Sequence, residues 1–166
     1  MAEGPRYHIP FRRRREGKTD YRQRLKLLKS GLPRAVVRIT NRKVIIQIAE
    51  YHPEGDRIII SALSSELVKM GWKRGLKNIP SAYLTGLLAG KRAVEKGVKK
   101  AVLDIGLHVP VKGSRVFAAL QGMLDAGLDI PHGEEKLPEE ERLLGAHLGE
   151  NIAEETKKLK GVIMGS

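Results

Sequence analysis

The feature that most restricts the fold is a strict alternation of side chains on either side of Asn41-Arg42. Pairing outward from this dipeptide gives a two-stranded antiparallel hairpin over residues 34–48, with one apolar face and one partly basic face. The apolar face comprises Ala35, Val37, Ile39, Val44, Ile46 and Ile48, and the other face comprises Arg34, Val36, Arg38, Thr40, Lys43, Ile45 and Gln47. The pattern also predicts a positive φ at Asn41, since tight hairpin turns require it.

The rest of the sequence extends this hairpin into an α/β fold. Apolar periodicity predicts a third strand at 57–63, helices at 64–70 and 81–97, a fourth strand at 99–105, and a helix at 115–126. Ser114 is in position to cap the last helix. The order β-β-β-α-α-β-α favours an antiparallel three-strand meander extended to a mixed sheet that is packed with helices.

The positive charge of the chain is concentrated near its N-terminal end. Lysine and arginine number 31 against 19 aspartates and glutamates, for a net charge of +12. Up to Lys43 there are fourteen basic residues against three acidic ones, so this segment carries +11 of that charge. Such a surface attracts polyanions, and we therefore expect the polyanion-binding surface here.

Two segments carry this charge ahead of the hairpin. Residues 1–18 contain prolines, glycines and arginines without aliphatic periodicity, which predicts an extended basic arm that a partner orders. A helix follows from Thr19, as its cap, to about Ser30. Its apolar face holds Tyr21, Leu25, Leu28 and Leu32, and another face holds Arg22, Lys26 and Lys29. That basic face is either a binding surface or a solvated face of a docked helix.

The aromatic residues of the arm have two interpretations. Tyr7 and Phe11 flank the first arginines closely enough to stack on an unpaired base, a mode typical of RNA recognition. They could equally anchor the arm on the rest of the protein.

The composition becomes acidic after residue 128. From Asp129 through Glu155 there are nine acidic and two basic residues. We expect this segment to form two short helices broken around Gly149, and to face solvent or a basic surface of another protein. The sequence thus divides into a basic arm (1–18), a globular α/β domain (19–128) that includes the first helix and is expected to bind RNA, and an acidic helical extension (129–166).

Catalytic and metal chemistry is not indicated. The chain has no cysteine, and its five histidines are too far apart to share a helix face. The segment 86–91 has the wrong spacing for a phosphate-binding loop, so Gly86 and Gly90 are interpreted as sites of close helix packing. Asp104 on the fourth strand lacks the partner carboxylates of a metal nuclease and is interpreted as a strand-end cap or ion-pair partner.

The sequence also lacks targeting signals. No apolar run is long enough for a membrane span or a secretory signal, and the cytoplasm is the expected location.

Several motifs resemble one known family. They are RRRREGKTDY at 12–21, LPRAVVR at 32–38, NRK at 41–43, SAYLTG at 81–86, AVLDIG at 101–106 and GSRVFAAL at 113–120. Together they resemble the 5S-rRNA-binding family of the large ribosomal subunit, universal ribosomal protein eighteen, in its archaeal form. The resemblance covers almost the whole chain, although the extension after Asp129 departs from the shorter bacterial pattern.

The resemblance implies a structural, non-enzymatic ribosomal protein of the cytoplasm without cofactor, metal, membrane or small-molecule ligand. Its partners would be 5S rRNA, 23S rRNA and the neighbouring 5S-binding ribosomal protein of the central protuberance. The implied RNA contacts are Arg12, Arg13, Arg14, Arg15, Lys18, Tyr21, Arg22, Arg24, Lys26, Lys29, Arg34, Arg38, Asn41, Arg42 and Lys43. Residues 72–77, Lys112 and Arg115 are second candidates. The alternative function is sequence-nonspecific nucleic-acid binding of the chromatin type.

Overall fold

The alternating segments form a four-stranded mixed sheet. A computed structural model describes residues 4–165; residues 1–3 of the predicted arm and residue 166 of the predicted extension lie outside the described residues. The strands are β1 (Arg34–Ile39), β2 (Val44–Glu50), β3 (Arg57–Leu63) and β4 (Val102–Asp104). They lie in the order β3-β2-β1-β4, in which β4 is parallel to β1 and the other pairs are antiparallel. The predicted meander and mixed sheet are confirmed.

The hairpin has the predicted register but a different turn. Val37 pairs with Ile46 and Ile39 with Val44, which places the predicted apolar face against the core. The expected positive φ at Asn41 is wrong, because no described residue other than glycine has one. Instead, the Thr40 hydroxyl accepts hydrogen bonds from the Arg42 and Lys43 amides, and this side chain closes the turn.

The helices follow the predicted order. They are α1 (Arg12–Arg15), α2 (Tyr21–Leu28), α3 (Glu66–Lys69), α4 (Ile79–Glu95), α5 (Arg115–Asp125), α6 (Glu140–Leu144) and α7 (Glu150–Met164), with 3-10 turns at Glu134–Lys136 and Ala146–Leu148. None of these elements within residues 4–165 has the length and apolarity required to cross a membrane.

Local details at three helix starts differ from prediction. The arm is not fully extended, since Arg12–Arg15 forms one helical turn without a buried side chain. Asp20, not Thr19, caps α2, because its carboxylate accepts hydrogen bonds from the Arg22 and Gln23 amides. Ser114 precedes α5 as expected, but its hydroxyl makes no capping bond and is buried without a partner.

The core lies between one face of the sheet and the helices α4 and α5. Every residue from Pro80 to Gly90 is buried, since α4 packs against β2, β3, α5 and α7. Helices α4 and α5 approach closely because both have glycines at their contact. A Cβ on Gly86 would lie 2.1 Å from the Ala119 carbonyl oxygen, and one on Gly122 would lie 2.2 Å from the Tyr83 carbonyl oxygen. The interpretation of Gly86 and Gly90 as packing sites is confirmed.

The acidic C-terminal segment joins this core. Leu143, Leu159 and Ile163 are buried in the same apolar cluster as the sheet, and the Lys91 ammonium donates a hydrogen bond to the Ile163 carbonyl. The segment does break at Gly149, but α7 has 15 residues and is not a short helix. The expectation of a solvated segment is therefore corrected: its acidic side chains other than Glu155 are exposed, while an apolar stripe packs on α4.

We predict that Gly86→Ala destabilises the protein by about 1–3 kcal/mol, since the new methyl group meets backbone atoms that move only if the two helices separate. Urea unfolding followed by the fluorescence of Trp72, the single tryptophan, measures the change. The control is Gly133→Ala, where a Cβ meets no atom within 4 Å and φ is not positive. It should change stability by no more than about 0.5 kcal/mol, and equal losses in both variants would contradict the packing argument.

Candidate nucleic-acid interface

The arm and α2 lie over the second face of the sheet. Between them is a groove of about 550 Å³. One wall contains Arg13, Lys18, Tyr21, Arg24 and Leu27, and the other contains Val36, Arg38, Gln47, Asp56 and Asp104. None of the α2 side chains is fully buried. The first face of the sheet therefore carries the apolar core, and the second face carries a polar groove beneath a basic helix.

Arg34 lies at the base of this groove and is almost completely buried. Only 3% of it is exposed, and its guanidinium donates to the Asp104 carboxylate at 2.7 Å and also to the carboxylate of Asp56. A buried cation requires such partners, because the cost of removing it from water is large. Arg34 was among the implied RNA contacts, and in the structure its charge is paired inside the protein.

Asp104 is shared between two arginines. Its second oxygen accepts hydrogen bonds from Arg38 and from the Gly106 amide, both at 2.9 Å, and its carbonyl accepts another from Arg38 at 2.8 Å. Gly106 has a φ of +62°, and a Cβ there would lie 2.8 Å from the Arg38 guanidinium carbon. The interpretation of Asp104 as an ion-pair partner is confirmed.

Asp56 connects α2 to the sheet. It directly precedes β3, and its two oxygens lie 2.9 and 3.0 Å from one Arg24 nitrogen while one of them also accepts from Arg34. The charged groups thus alternate in sign from Arg24 through Asp56, Arg34 and Asp104 to Arg38. We call these five residues the ionic chain. Asp56 was not among the predicted site residues, because the sequence around it indicates only a turn before β3.

Three members of the ionic chain, Asp104, Asp56 and Arg24, have shifted pKa values. Burial raises the pKa of Asp104, but the charge and hydrogen bond of Arg38 outweigh it and leave the pKa below the ordinary value. Burial also raises the pKa of Asp56, but hydrogen bonds from Arg24 and Arg34 outweigh it and leave that pKa below its ordinary value. The hydrogen bond to Asp56 raises the pKa of Arg24. Both carboxylates are therefore ionised at neutral pH.

The remaining basic residues of the predicted site are exposed, except that Lys43 is partly buried. Those that form no ion pair with any carboxylate in residues 4–165 are Arg13, Arg14, Arg15, Arg22, Lys26, Lys29, Arg42 and Lys43. Arg12 and Lys18 pair with Glu16 at the surface, and Arg13 donates to the Thr19 hydroxyl. Exposed ion pairs of this kind are weak and exchange readily for other anions.

The structure brings part of the predicted site together. Arg13, Lys18 and Tyr21 share the groove with Arg24 and Arg38, whereas Asn41 and Arg42 lie at the tip of the β1–β2 hairpin. The Arg38 side chain remains 40% exposed although it pairs with Asp104. Cations therefore surround the groove, and only Arg34 among them is withdrawn from the surface.

Two aromatic rings join the arm to α2. The ring centroids of Phe11 and Tyr21 lie 5.3 Å apart with a tilt of 56°, and this separation is within the range of favourable aromatic pairs. This contact supports the interpretation that Phe11 anchors the arm. Tyr7 is partly exposed.

The second candidates are mostly engaged in structure. Arg74 pairs with Glu155 of α7, and Arg115 donates to the Lys77 carbonyl. Trp72 is buried, and its indole nitrogen donates to the Gly75 carbonyl. In the part of the chain that the structure describes, no group of three or more His, Asp or Glu side chains is arranged to hold a metal ion.

Comparison with known proteins identifies close relatives. A family model described as ribosomal large subunit proteins 60S L5, and 50S L18, matches residues 5–100 and 93–133. Large ribosomal subunit protein uL18 of Aeropyrum pernix is 57% identical over 163 residues, which cover 96% of this chain and 76% of the relative. The protein of the same name from Methanothermobacter thermautotrophicus is 56% identical over 150 residues, covering 90% of this chain and 78% of the relative.

We predict that Asp104→Asn destabilises the protein by about 3–5 kcal/mol at pH 7, because it removes the buried carboxylate that Arg34 and Arg38 share and leaves the buried Arg34 with Asp56 alone. Urea unfolding measures the loss. The control is Asp129→Asn, which breaks the exposed Lys100–Asp129 pair and should cost about 0–1 kcal/mol.

The same variant has a pH signature. The folded-state pKa of Asp104 lies below its ordinary value of 3.8. Its carboxylate therefore stabilises the fold above that pH, and this contribution disappears as the pH falls through the folded-state pKa. The stability difference between wild type and Asp104→Asn should accordingly shrink on acidification. A difference that is constant from pH 7 into this acidic range would contradict the assignment.

Proposed function

Since this chain belongs to the family of ribosomal large subunit proteins 60S L5 and 50S L18, we propose that it binds 5S rRNA and helps attach it to 23S rRNA in the central protuberance. Its role is structural, and it is not an enzyme. In this proposal it works in the cytoplasm, as part of the large subunit, beside the other 5S-binding ribosomal protein.

The observation that carries the proposal is the set of exposed cations without carboxylate partners. They lie on α1, on one face of α2 and at the β1–β2 hairpin. Each cation that meets a phosphate releases a condensed counterion, so these residues supply affinity that depends on salt. The sheet and the ionic chain hold the charges at fixed positions, which lets the protein recognise the shape of a folded RNA.

The predicted contacts fall into two groups, of which we propose the first as the RNA contacts. Residues that present free or weakly paired groups to an RNA are Arg12, Arg13, Arg14, Arg15, Lys18, Arg22, Lys26, Lys29, Asn41, Arg42 and Lys43. Arg24, Arg38 and Tyr21 line the groove and already have partners inside the protein. Arg34 is left out of the proposal because it is buried.

The test of the function is a titration of 5S rRNA at about 200 mM salt, where nonspecific phosphate binding is weak. Transfer RNA and duplex DNA are added as competitors. The proposal expects 5S rRNA to remain bound while neither competitor displaces it. Equal competition by the three nucleic acids would favour a sequence-nonspecific binder and overturn the proposal.

We predict that Arg22→Ala lowers the slope of log affinity against log salt by about one, because one phosphate contact is lost. Arg22 is exposed on α2 and pairs with no described carboxylate. The matched control is Lys157→Ala, which removes one exposed charge from α7 on the acidic segment. That variant should keep the wild-type slope. A similar change in both slopes would mean that net charge alone sets the affinity.

A further inference from the structure

Helix α2 has little apolar attachment to the protein that it covers. It has eight residues, none of them buried, and Leu25 of its predicted apolar face is 57% exposed. Isolated helices of this length are unstable in water, so contacts with the body must hold α2 in place. Within residues 4–165, Arg24 is the one α2 residue whose side chain forms a hydrogen bond to another element, and its partner is Asp56.

The arm in turn depends on α2. The Phe11 ring of the arm packs on the ring of Tyr21, the first residue of α2. Arg13 of the arm donates a hydrogen bond to the hydroxyl of Thr19, two residues before α2 begins. Displacement of α2 would therefore displace the arginines of α1 together with Arg22, Lys26 and Lys29. Most of the proposed RNA surface is therefore linked to the sheet through the hydrogen bonds between Arg24 and the Asp56 carboxylate.

We infer that Asp56 is a positioning residue for RNA binding: through Arg24 it holds α2 and the arm on the sheet in their RNA-binding arrangement. This inference rests on the proposed function. Asp56 itself is negatively charged and makes no favourable contact with phosphate, so its contribution acts through Arg24. Arg34 fixes the Asp56 carboxylate from the other side, which leaves it aimed at α2.

The sign of the expected effect separates this role from simple electrostatics. Asp56→Asn raises the net charge of the protein by one, and charge alone would strengthen binding to RNA. Positioning predicts the opposite. If the variant holds α2 docked in about a tenth of the molecules, its apparent affinity for RNA falls about tenfold. The salt slope stays unchanged, because the bound complex makes the same phosphate contacts.

The experiment uses the full chain in five forms: wild type, Asp56→Asn, Arg24→Gln, the double variant with both substitutions, and the charge-matched control Asp129→Asn. Hydrogen–deuterium exchange without RNA reports on the α2 amides, and Trp72 fluorescence confirms that the body is folded. Affinity for 5S rRNA is then measured across a range of salt concentrations. If Asp56→Asn fails to fold because Arg34 loses a partner, Arg24→Gln releases α2 and leaves the Asp56–Arg34 pair in place.

If Asp56 positions α2, the α2 amides exchange faster in both Asp56→Asn and Arg24→Gln, and each variant binds 5S rRNA about tenfold more weakly with an unchanged salt slope. The double variant should bind only slightly more weakly than either single variant. The Asp129→Asn control should match wild type or bind slightly more tightly. Unchanged α2 exchange in Arg24→Gln, or wild-type affinity in a folded Asp56→Asn, would overturn the inference. A slope lowered by about one in Arg24→Gln would make Arg24 a phosphate contact instead and overturn it too.

The two proposals fail in different ways. If wild type binds transfer RNA as well as 5S rRNA, the proposed function fails. The exchange measurement contains no RNA and still decides whether Asp56 holds α2.

Discussion

The architecture of the groove side of the sheet depends on the burial of one arginine. Arg34 begins the central strand β1 and is 3% exposed, so its charge is tolerable only with carboxylates beside it. Asp104 on β4 and Asp56 before β3 supply these carboxylates from the two opposite edges of the sheet, on the same face. Each carboxylate has a second arginine partner, and these partners, Arg38 and Arg24, reach the exposed surface. One internal charge requirement thus fixes where two surface arginines lie.

The two faces of the sheet have different physical roles. The first is a close-packed apolar face against α4 and α5, where glycines such as Gly86 allow the helices to touch. The second face is covered by α2, a helix with no buried residue, which the Arg24–Asp56 ion pair joins to the sheet. The arm and α2 present cations and bury little apolar surface, and in the proposed function the phosphates of RNA supply the anions that pair with these cations.

The sequence predicted the apolar side of the fold well and the ionic side poorly. The hairpin register followed from the alternation of residues 34–48, because a slip of one residue would turn every core side chain outward. The same alternation placed Arg34 on the second face but could not show that α2 covers it. Nor could it pair Arg34 with Asp104, 70 positions away, or give Asp56 a role outside its turn. At the hairpin turn, a hydroxyl of Thr40 replaced the expected strained backbone at Asn41.

By itself, the sequence determined the order of the elements, the core face of the sheet, the basic character of residues 6–43 and the family resemblance. These properties follow from local periodicity and composition, which depend only on residues close together in the sequence. Only the tertiary structure decided which arginines form ion pairs inside the protein and which remain exposed and able to bind a partner. It also decided that the acidic segment packs on α4. Burial and ion pairing depend on residues far apart in the chain, and their proximity exists only once the chain has folded.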